Sequence, residues 1–449
     1  MKIEPKHIIY FLGIGGIGMS AIARYYNLQG VEIHGYDRTE TPLTKQLESE
    51  GIYIHYQEDI SKIPENTNLV IYTPAVPETN AEFAYCRGKG LPMKKRSMVL
   101  GEISQDKYTI AVAGTHGKTS TTSTIAHLMH ECGLKFTAFI GGISNNFSSN
   151  LVHHPESDII LVEADEFDRS FLQLHPDIAI ITSMDADHLD IYHDYKKLYS
   201  SFEQFVSQIK DRGHLIKKIG LDIHSKQNTI TFGLNEQADY HAKNILKSNN
   251  RFFFNLVAHG KIVEHVEIKI PGRYNIENAM AALAVTQLLG IDIKKSIQAL
   301  TTYRGVKRRF DIRLNSADRI YIDDYAHHPE ELKACISAAR ELNPGKRITG
   351  IFQPHLYSRT RDLLDDFADA LSLLDELVLL DIYPAREEPI PGIESKTLFE
   401  KVKLPSKYLL KNTEVTDFLR QNPPQVLLTL GAGDIDKLVE PIENLLKEL

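Results

Sequence analysis

The sequence has few cysteines, no tryptophan and no long apolar run among its 449 residues. Cys86, Cys132 and Cys335 lie far apart, which favours reduced thiols in a cytosolic protein over a disulfide framework or a metal cluster. No stretch reaches the roughly 18 apolar residues that a membrane helix needs. The first residues also lack the charged region, apolar stretch and cleavage site of a secretory leader. We therefore expect a cytoplasmic protein without a membrane-spanning segment.

The sequence also has no excess of basic residues over acidic ones. The formal net charge is -8, which argues against nucleic acid or an anionic membrane as the main partner. The fractions of apolar and charged residues, 42% and 24%, are typical of a globular protein. A chain of this length exceeds what one hydrophobic core supports, so several domains are expected.

Short β-rich runs alternate with helical patterns along most of the chain. Strands are predicted at 8–12, 31–36 and 69–72, a second α/β pattern begins with a strand at 108–113, and a third begins near 319. This alternation predicts parallel sheets built from βαβ units. Between residues 217 and 270 short strands and polar turns replace it, which predicts a small antiparallel sheet.

The fold class is therefore α/β, with three predicted domains. Residues 1–105 form a Rossmann-like domain, and residues 106–310 form a central domain with a parallel sheet and the small antiparallel sheet. Residues 311–449 form a second Rossmann-like α/β domain. The boundaries lie where one α/β pattern ends and the next begins.

The first glycine-rich loop has the spacing of a dinucleotide-binding fingerprint. Gly13, Gly15 and Gly18 form G-x-G-x-x-G between a predicted strand and helix, and Asp37 closes the next strand. Glycines let the backbone approach a diphosphate, and a helix N-terminus offers it free N–H groups. A dinucleotide and a nucleotide-sugar diphosphate satisfy this loop equally. A tight turn that needs glycine only for packing is the structural alternative.

A second glycine-rich loop follows the strand at 108–113 and opens a helix. Gly117, Lys118 and Thr119 match the end of a phosphate loop, although Val112 replaces the usual first glycine. In such loops the lysine contacts the β and γ phosphates of ATP and the hydroxyl binds Mg²⁺. The other residues of this loop predicted to bind ATP are Gly114, Thr115, His116 and Ser120.

Two acidic clusters directly follow apolar strands. Glu163 ends the first strand, and His188 lies in the cluster after the second. The carboxyl ends of parallel strands share one edge of a sheet, where the phosphate loop also lies. Glu163 and His188 are therefore predicted Mg²⁺ ligands, with solvated loop charges as the alternative. The other acids of the two clusters are Asp165, Glu166, Asp168, Asp185, Asp187 and Asp190.

Six segments occur in the order found in one enzyme family. They are AGTHGKTST, VEADEFD, DADHLDIY, PGRYNIENAMAA, DDYAHHPEE and FQPHLYSRTRDL, and GIGGIGMS precedes them. The chain resembles the Mur ligases from residue 11 to about residue 433. This resemblance implies a UDP-binding domain, a central ATPase domain and a C-terminal domain that closes on the substrates.

The resemblance is strongest to the alanine-adding branch of the family and implies its reaction. The lactyl carboxylate of UDP-N-acetylmuramate would attack the γ-phosphate of ATP, and the amine of L-alanine would then attack the acyl phosphate. ATP, Mg²⁺, UDP-N-acetylmuramate and L-alanine are the implied cofactors and substrates, in peptidoglycan precursor synthesis. The recycling ligase that attaches a preformed peptide to the same sugar nucleotide is an alternative.

The family pattern also implies roles for particular residues. The implied sugar-nucleotide site comprises Gly13, Gly15, Gly16, Ile17, Gly18, Asp37 and Thr73. The adenine and ribose of ATP are assigned to Asn275, Asn278, Arg309 and Asp324. The amino-acid side of the cleft is assigned to Tyr325, His327 and Arg359. The implied catalytic residues are Lys118, His188, His327 and Arg359, and the implied metal ligands are Thr119, Glu163 and His188.

Some features leave alternatives open. Leu356 stands where many relatives of this branch carry arginine. His327 could accept the ammonium proton of alanine or could help cap the helix after Pro329. Outside the ligases, a dinucleotide-dependent oxidoreductase would use only the first glycine loop. An ATP-driven switch protein would bind ATP without consuming it for an acceptor carboxylate.

Overall fold

A computed structural model describes residues 3–185, 195–248, 251–385 and 387–449, except for the side chains of residues 167, 168 and 195. The chain divides into two compact units. The first runs to Ile245 and includes Phe253–Glu267 and Ile276–Tyr303. The second comprises Leu246–Phe252, Ile268–Asn275 and Arg304–Leu449.

The first sheet is parallel throughout, with the order β3-β2-β1-β4-β5. Its central strand β1 is buried along its whole length, as expected for the apolar run that forms it. The order, with β1 between β2 and β4, places the loop after β1 at the point where the strand order reverses, where ligands bind in such sheets. The strands are β1 (Ile8–Leu12), β2 (Glu32–Tyr36), β3 (Tyr53–His55), β4 (Leu69–Tyr72) and β5 (Met93–Lys95).

The second sheet has ten strands in the order β15-β14-β13-β12-β11-β10-β6-β9-β7-β8. Strand β6 lies inside it and pairs in parallel with both β9 and β10. The strands are β6 (Tyr108–Ala113), β7 (Thr137–Ser144), β8 (Ser149–Val152), β9 (Ile159–Glu163), β10 (Ile178–Ile181), β11 (His214–Lys218), β12 (Asn228–Gly233), β13 (Tyr240–Ser248), β14 (Arg251–Ala258) and β15 (Lys261–Ile268).

The short strands after residue 217 differ from the prediction in one respect. They continue the central sheet, because β12 pairs in parallel with β11, and Phe232 and Gly233 pair in parallel with Tyr240 and His241. Strands β14 and β15 are joined by the two residues His259 and Gly260, which both have positive φ. Two-residue hairpin turns require that conformation. The excursion is therefore an extension of the parallel sheet that ends in a hairpin.

The third sheet has the order β16-β17-β21-β18-β19-β20. Its first pair is antiparallel and the others are parallel. The strands are β16 (Asp311–Asn315), β17 (Ile320–Asp324), β18 (Ile348–Phe352), β19 (Glu376–Leu379), β20 (Lys407–Leu409) and β21 (Val426–Leu430). The structure therefore has the α/β class expected from the sequence.

Helices connect the parallel strands, as this class requires. Within the described ranges no helix is long and apolar enough to cross a membrane. The α-helices are α1 (Ile17–Asn27), α2 (Pro42–Ser49), α3 (Ala81–Gly88), α4 (Arg96–Ser104), α5 (Lys118–Glu131), α6 (Tyr195–Ser207), α7 (Arg273–Leu288), α8 (Ile293–Leu300), α9 (Pro329–Leu342), α10 (Tyr357–Asp362), α11 (Leu364–Leu371), α12 (Ser395–Lys401), α13 (Val415–Gln421) and α14 (Val439–Glu448).

A buried polar network ties α1 of the first sheet to β8 of the second sheet, within the first unit. The guanidinium of Arg24 donates to Glu50 at 2.8 Å and to the side-chain oxygen of Asn150. The amide of Asn150 in turn donates to the Ile17 carbonyl at 2.6 Å and to the Ser20 hydroxyl at 2.9 Å. Arg24 and Asn150 are both buried. The glycine loop before α1 is thus held to the second sheet by hydrogen bonds as well as by apolar packing.

Replacing Asn150 with alanine should destabilise the first unit by about 1–3 kcal/mol, because it leaves buried groups of Arg24 and α1 unpaired. Urea denaturation measures this change. Asn27→Ala is the matched control, since the Asn27 amide at the end of α1 makes only one exposed hydrogen bond, to the Glu50 carbonyl. Equal losses in the two variants would contradict a buried network.

Candidate active site

Three parallel strand ends form the phosphate-loop region. The loop follows β6, and Thr182 and Ser183 follow the neighbouring strand β10. The hydroxyl of Ser183 accepts the His116 backbone N–H at 2.7 Å, and its carbonyl accepts the Thr115 N–H at 3.2 Å. Strand β9 delivers Glu163 on the other side of β6. The predicted convergence of these strand ends is therefore present in the structure.

Two glycines of this loop have backbone conformations that residues with a side chain rarely adopt, and at one of them a side chain would also clash with a neighbour. Gly114 has a φ of +136°, and a Cβ there would lie 2.2 Å from the Thr182 hydroxyl oxygen. Gly117 has a φ of +81° and caps α5. Because glycine alone adopts such angles easily, the backbone can fold tightly around the start of the helix. The N–H groups in the first turn of this helix can then bind a phosphate.

Lys118, the first residue of α5, lies among carboxylates. Its ammonium donates to Glu166 at 2.9 Å and to the Gly114 carbonyl at 2.6 Å. The Glu166 side chain is 0% exposed. Burial opposes the charge of the ammonium, but Glu166, Asp165 and Glu163 together raise the pKa of Lys118 above its ordinary value. Lys118 is therefore a fixed cation at the loop.

The predicted metal ligands Thr119 and Glu163 are in contact. The Thr119 hydroxyl donates to one carboxylate oxygen of Glu163 at 2.9 Å, and the Gly141 N–H donates to the other at 2.9 Å. Oxygen donors of this kind suit Mg²⁺, which keeps several waters and phosphate oxygens in its shell. In the part of the chain that the structure covers, no three His, Cys, Asp or Glu side chains are grouped as ligands. His188 lies outside the described residues, as do Asp187 and Asp190.

Asn278 is the predicted adenine residue that contacts the phosphate-loop helix. Its side-chain oxygen accepts the Thr121 hydroxyl at 3.1 Å and lies 3.1 Å from where a Cβ of Gly117 would be. Ser120 contributes its carbonyl to the Thr124 hydroxyl at 2.8 Å. Asn275 belongs to the second unit, where its amide donates to the Pro271 carbonyl at 2.5 Å. Both asparagines start α7, and their contact with adenine stays a prediction.

The first glycine loop is closed by the residues that the sequence grouped with it. The Gly15 N–H donates to Asp37 at 2.8 Å, so this carboxylate holds the loop from the end of β2. A Cβ on Gly13, whose φ is +83°, would lie 2.6 Å from the Thr73 methyl group. Gly16 caps α1, which begins at Ile17. The predicted sugar-nucleotide residues therefore lie together around this loop, and their role in binding stays a prediction.

In the second unit, Asp324 ends β17 and fixes the backbone around it. Its carboxylate accepts the Phe310 N–H at 2.6 Å and the Ala326 N–H at 2.7 Å. Burial is the largest influence on it and raises its pKa to about 7, against the opposing charge of Arg309. Asp324 and Arg309 were predicted to hold the ribose of ATP, and the structure brings these two side chains together.

Aromatic and imidazole rings follow Asp324 at the carboxyl end of the third sheet. The guanidinium of Arg309 lies 5.0 Å from the centre of the Tyr325 ring. The Nδ1–H of His327 donates to the Tyr325 carbonyl at 3.0 Å, and the centre of the His327 ring lies 6.0 Å from that of His355. His355 stacks on Tyr383 at 5.8 Å. The backbone N–H of His327 also donates to the carboxylate of Glu331.

Arg359 lies on α10, which begins directly after Leu356. Leu356 is buried and has a φ of +70°, a conformation that residues with side chains seldom adopt. Leu356 thus turns the chain into α10 and packs its side chain in the core. Arg359 is half-buried on this helix.

Three segments of the chain match family descriptions in sequence. Residues 8–108 match the Mur ligase family catalytic domain, 112–286 the Mur ligase middle domain, and 308–435 the Mur ligase glutamate ligase domain. The chain belongs to the Mur ligase family. Its glycine loops lie in the first two matched segments, and Asp324, Tyr325, His327 and Arg359 lie in the third.

Individual Mur ligases align over almost the whole chain. The UDP-N-acetylmuramate–L-alanine ligase of Porphyromonas gingivalis is 46% identical, over 98% of this chain and 99% of its own length. The crystal structure of UDP-N-acetylmuramate–alanine ligase from Thermotoga maritima has a TM-score of 0.85 and 28% identity, covering 99% of this chain and 100% of that chain. A murein peptide ligase from Psychrobacter arcticus shares the fold, with a TM-score of 0.72 and 22% identity over 99% of each chain.

Two residues of this Mur ligase were not singled out from the sequence. Glu166 was grouped only with the other residues of the acidic cluster. Arg96 belongs to no motif, and an arginine after a short strand does not by itself indicate a site. Arg96 lies against Gly18, where a Cβ would be 2.8 Å from its Nη1 atom. The contact of Arg96 with Gly18 can be recognised only once the pairing of β5 with β4 is known.

Glu163→Gln should raise the Mg²⁺ concentration needed for half-maximal ATP consumption about 10- to 100-fold, because it removes the charge but keeps the shape beside Thr119. A magnesium titration of the steady-state rate measures this. Glu156→Gln is the charge-matched control, since Glu156 forms an exposed ion pair with Lys135. An unchanged magnesium requirement in Glu163→Gln would contradict the metal role.

Asp324 should make the second unit less stable as the pH rises from about 4 to about 7. Its pKa is raised on folding, so within this window the folded state keeps a proton that the unfolded state has released. Stability therefore falls with rising pH and levels off above the folded pKa. Thermal unfolding at pH 5 and pH 8 should reveal this slope, and Asp324→Asn should flatten it. The exposed Asp318→Asn is the control, and an equal slope in Asp324→Asn would refute the assignment.

Proposed function

We propose that this Mur ligase joins L-alanine to the lactyl carboxylate of UDP-N-acetylmuramate at the expense of ATP, in peptidoglycan precursor synthesis. The relatives that support this substrate pair align over nearly the full length of the chain. The structural observation that carries the chemistry is Lys118, held at a phosphate loop beside the Thr119–Glu163 pair. We place the reaction in the cytoplasm, where ATP is available.

The reaction proceeds in two successive displacement steps. A carboxylate oxygen of the sugar nucleotide attacks the γ-phosphorus, the bond from that phosphorus to the β-phosphate oxygen breaks, and ADP leaves. The neutral amine of alanine then attacks the acyl carbonyl, the carbon–oxygen bond to the phosphate breaks, and inorganic phosphate leaves. The nitrogen loses its proton as the amide forms.

Bringing a carboxylate to a triphosphate concentrates negative charge, which the site must offset. Lys118 supplies a fixed cation, and the backbone N–H groups in the first turn of α5, from Lys118 to Ser120, would supply hydrogen bonds to phosphate oxygens. Thr119 and Glu163 would hold Mg²⁺, together with His188. When bound, Mg²⁺ polarises the phosphate oxygens and neutralises charge on them.

We assign sugar-nucleotide binding to residues 1–105, ATP binding to residues 106–310, and amino-acid binding to residues 311–449. In the last of these, Tyr325, His327 and Arg359 would face alanine and the acyl phosphate. Arg359 would bind an anion, because its guanidinium matches the geometry of carboxylate and phosphate oxygens. His327 would accept the ammonium proton of alanine, a role that suits an imidazole near neutral pH.

Phosphate release from ATP and Mg²⁺ tests the proposal when the acceptor and the amine are varied separately. Release that requires both UDP-N-acetylmuramate and L-alanine is the expected result. Release that instead requires a preformed peptide would identify the recycling activity. ATP binding without release under any combination would contradict a ligase.

Lys118→Ala should abolish turnover and leave the dissociation constant for UDP-N-acetylmuramate nearly unchanged, because the two glycine loops follow strands of different sheets. Isothermal titration calorimetry and the phosphate-release assay measure the two properties. Loss of both in a folded variant would contradict separate sites.

A further inference from the structure

Arg96 lies against the first glycine loop in a position that sequence motifs do not account for. It begins α4 directly after β5. A Cβ on Gly18 would lie 2.8 Å from its Nη1 atom and 3.1 Å from its Cδ atom. The last glycine of the fingerprint therefore makes room for a guanidinium beside the first turn of α1.

The position is electrostatically unfavourable for a cation unless an anion is also present. The first turn of a helix carries a partial positive charge from its free N–H groups. No acidic residue lies in the first turn of α1. A guanidinium placed beside that turn adds positive charge to the end of the helix that attracts anions.

The protein partner of Arg96 holds it loosely. The Arg96 Nη2 atom lies 3.5 Å from an oxygen of Asp165, at the outer limit of a hydrogen bond. The two side chains are 20% and 38% exposed, and partly exposed pairs of this kind contribute little to stability. An oxyanion ligand can therefore replace Asp165 as the partner of the guanidinium with little loss of stability.

Asp165 connects this arginine to the second glycine loop. It lies two residues after Glu163, and its charge acts on Lys118. Arg96 thus stands between the end of the sugar-nucleotide loop and the carboxylates that surround the phosphate loop, all within the first unit. A substrate that reaches from one loop toward the other passes this guanidinium.

We propose that Arg96 is a substrate-binding residue that exchanges Asp165 for an oxyanion of the sugar nucleotide. This inference rests on the proposed function and adds a residue to its acceptor site. The planar guanidinium offers paired N–H groups that match two oxygens of a phosphate or a carboxylate. The bound oxyanion is a diphosphate oxygen or the lactyl carboxylate, which share this chemistry.

Calorimetric titration of three ligands separates the two sources of the oxyanion. UDP and UDP-N-acetylglucosamine carry the diphosphate without a lactyl carboxylate, whereas UDP-N-acetylmuramate carries both. Arg96→Gln should weaken binding of UDP-N-acetylmuramate about 10- to 100-fold, the range for one charge-assisted contact. Arg96→Lys should recover part of this lost affinity, because lysine keeps the positive charge but lacks the paired N–H groups of the guanidinium.

Arg87→Gln is the matched control for the loss of an arginine from the same domain. Arg87 forms an exposed ion pair with Glu78 at 2.6 Å and is outside the binding site. Its dissociation constants should equal those of the unchanged protein. The dissociation constant for ATP reports on folding in every variant, since the phosphate loop lies in the same unit.

The pattern across the ligands decides the outcome. An equal loss for all three ligands assigns Arg96 to the diphosphate, and a loss confined to UDP-N-acetylmuramate assigns it to the carboxylate; both support the proposal. Unchanged dissociation constants in Arg96→Gln, or changes no larger than in Arg87→Gln, overturn it. If the unchanged protein binds none of the three ligands, the proposed function fails and this inference fails with it.

Discussion

The buried ion pair between Lys118 and Glu166 is the interaction on which the organisation of the site depends. A desolvated ammonium is costly, and removing one member of a buried pair costs about 3–5 kcal/mol. The 2.9 Å contact between Lys118 and Glu166 therefore favours conformations in which the segment after β9, which contains Glu166, packs against the phosphate loop. Glu163 ends β9 directly before that segment, and Asp165 lies within it, so the pair positions the metal-ligand candidate together with the cation.

The same charges explain how two glycine loops can serve one reaction. Each loop follows a strand within its parallel sheet and offers helix N–H groups to phosphates. Asp37 closes the first loop, and the Thr119–Glu163 contact closes the second. Between them, Arg96 and Asp165 form a weak pair. A carboxylate acceptor and a triphosphate can then approach each other in surroundings where positive charge is already in place.

Much of this arrangement could be predicted from the sequence, because strand ends in parallel sheets converge. The strands at 8–12, 69–72 and 108–113 have the predicted bounds, and Glu163 ends its strand as predicted. The contact of Thr119 with Glu163 follows from the order of these strands in the sheet. The Lys118–Glu166 pair and the Arg96–Gly18 contact could not be predicted, since no periodicity relates such distant residues. The continuation of the central sheet beyond β12 was also missed, because short strands and polar turns do not specify a parallel partner. The role of His188 stays a prediction.

Transfer of oxygen from the lactyl carboxylate to the released phosphate tests whether a carboxylate of the acceptor attacks the γ-phosphate of ATP. UDP-N-acetylmuramate with heavy oxygen in its lactyl carboxylate would be converted with ATP and L-alanine, and the released phosphate analysed by mass spectrometry. We expect each phosphate to carry one heavy oxygen atom from the carboxylate, because the amine attacks the carbonyl carbon and the carbon–oxygen bond of the acyl phosphate breaks. Unlabelled phosphate, with amide formed at the same rate, would contradict it.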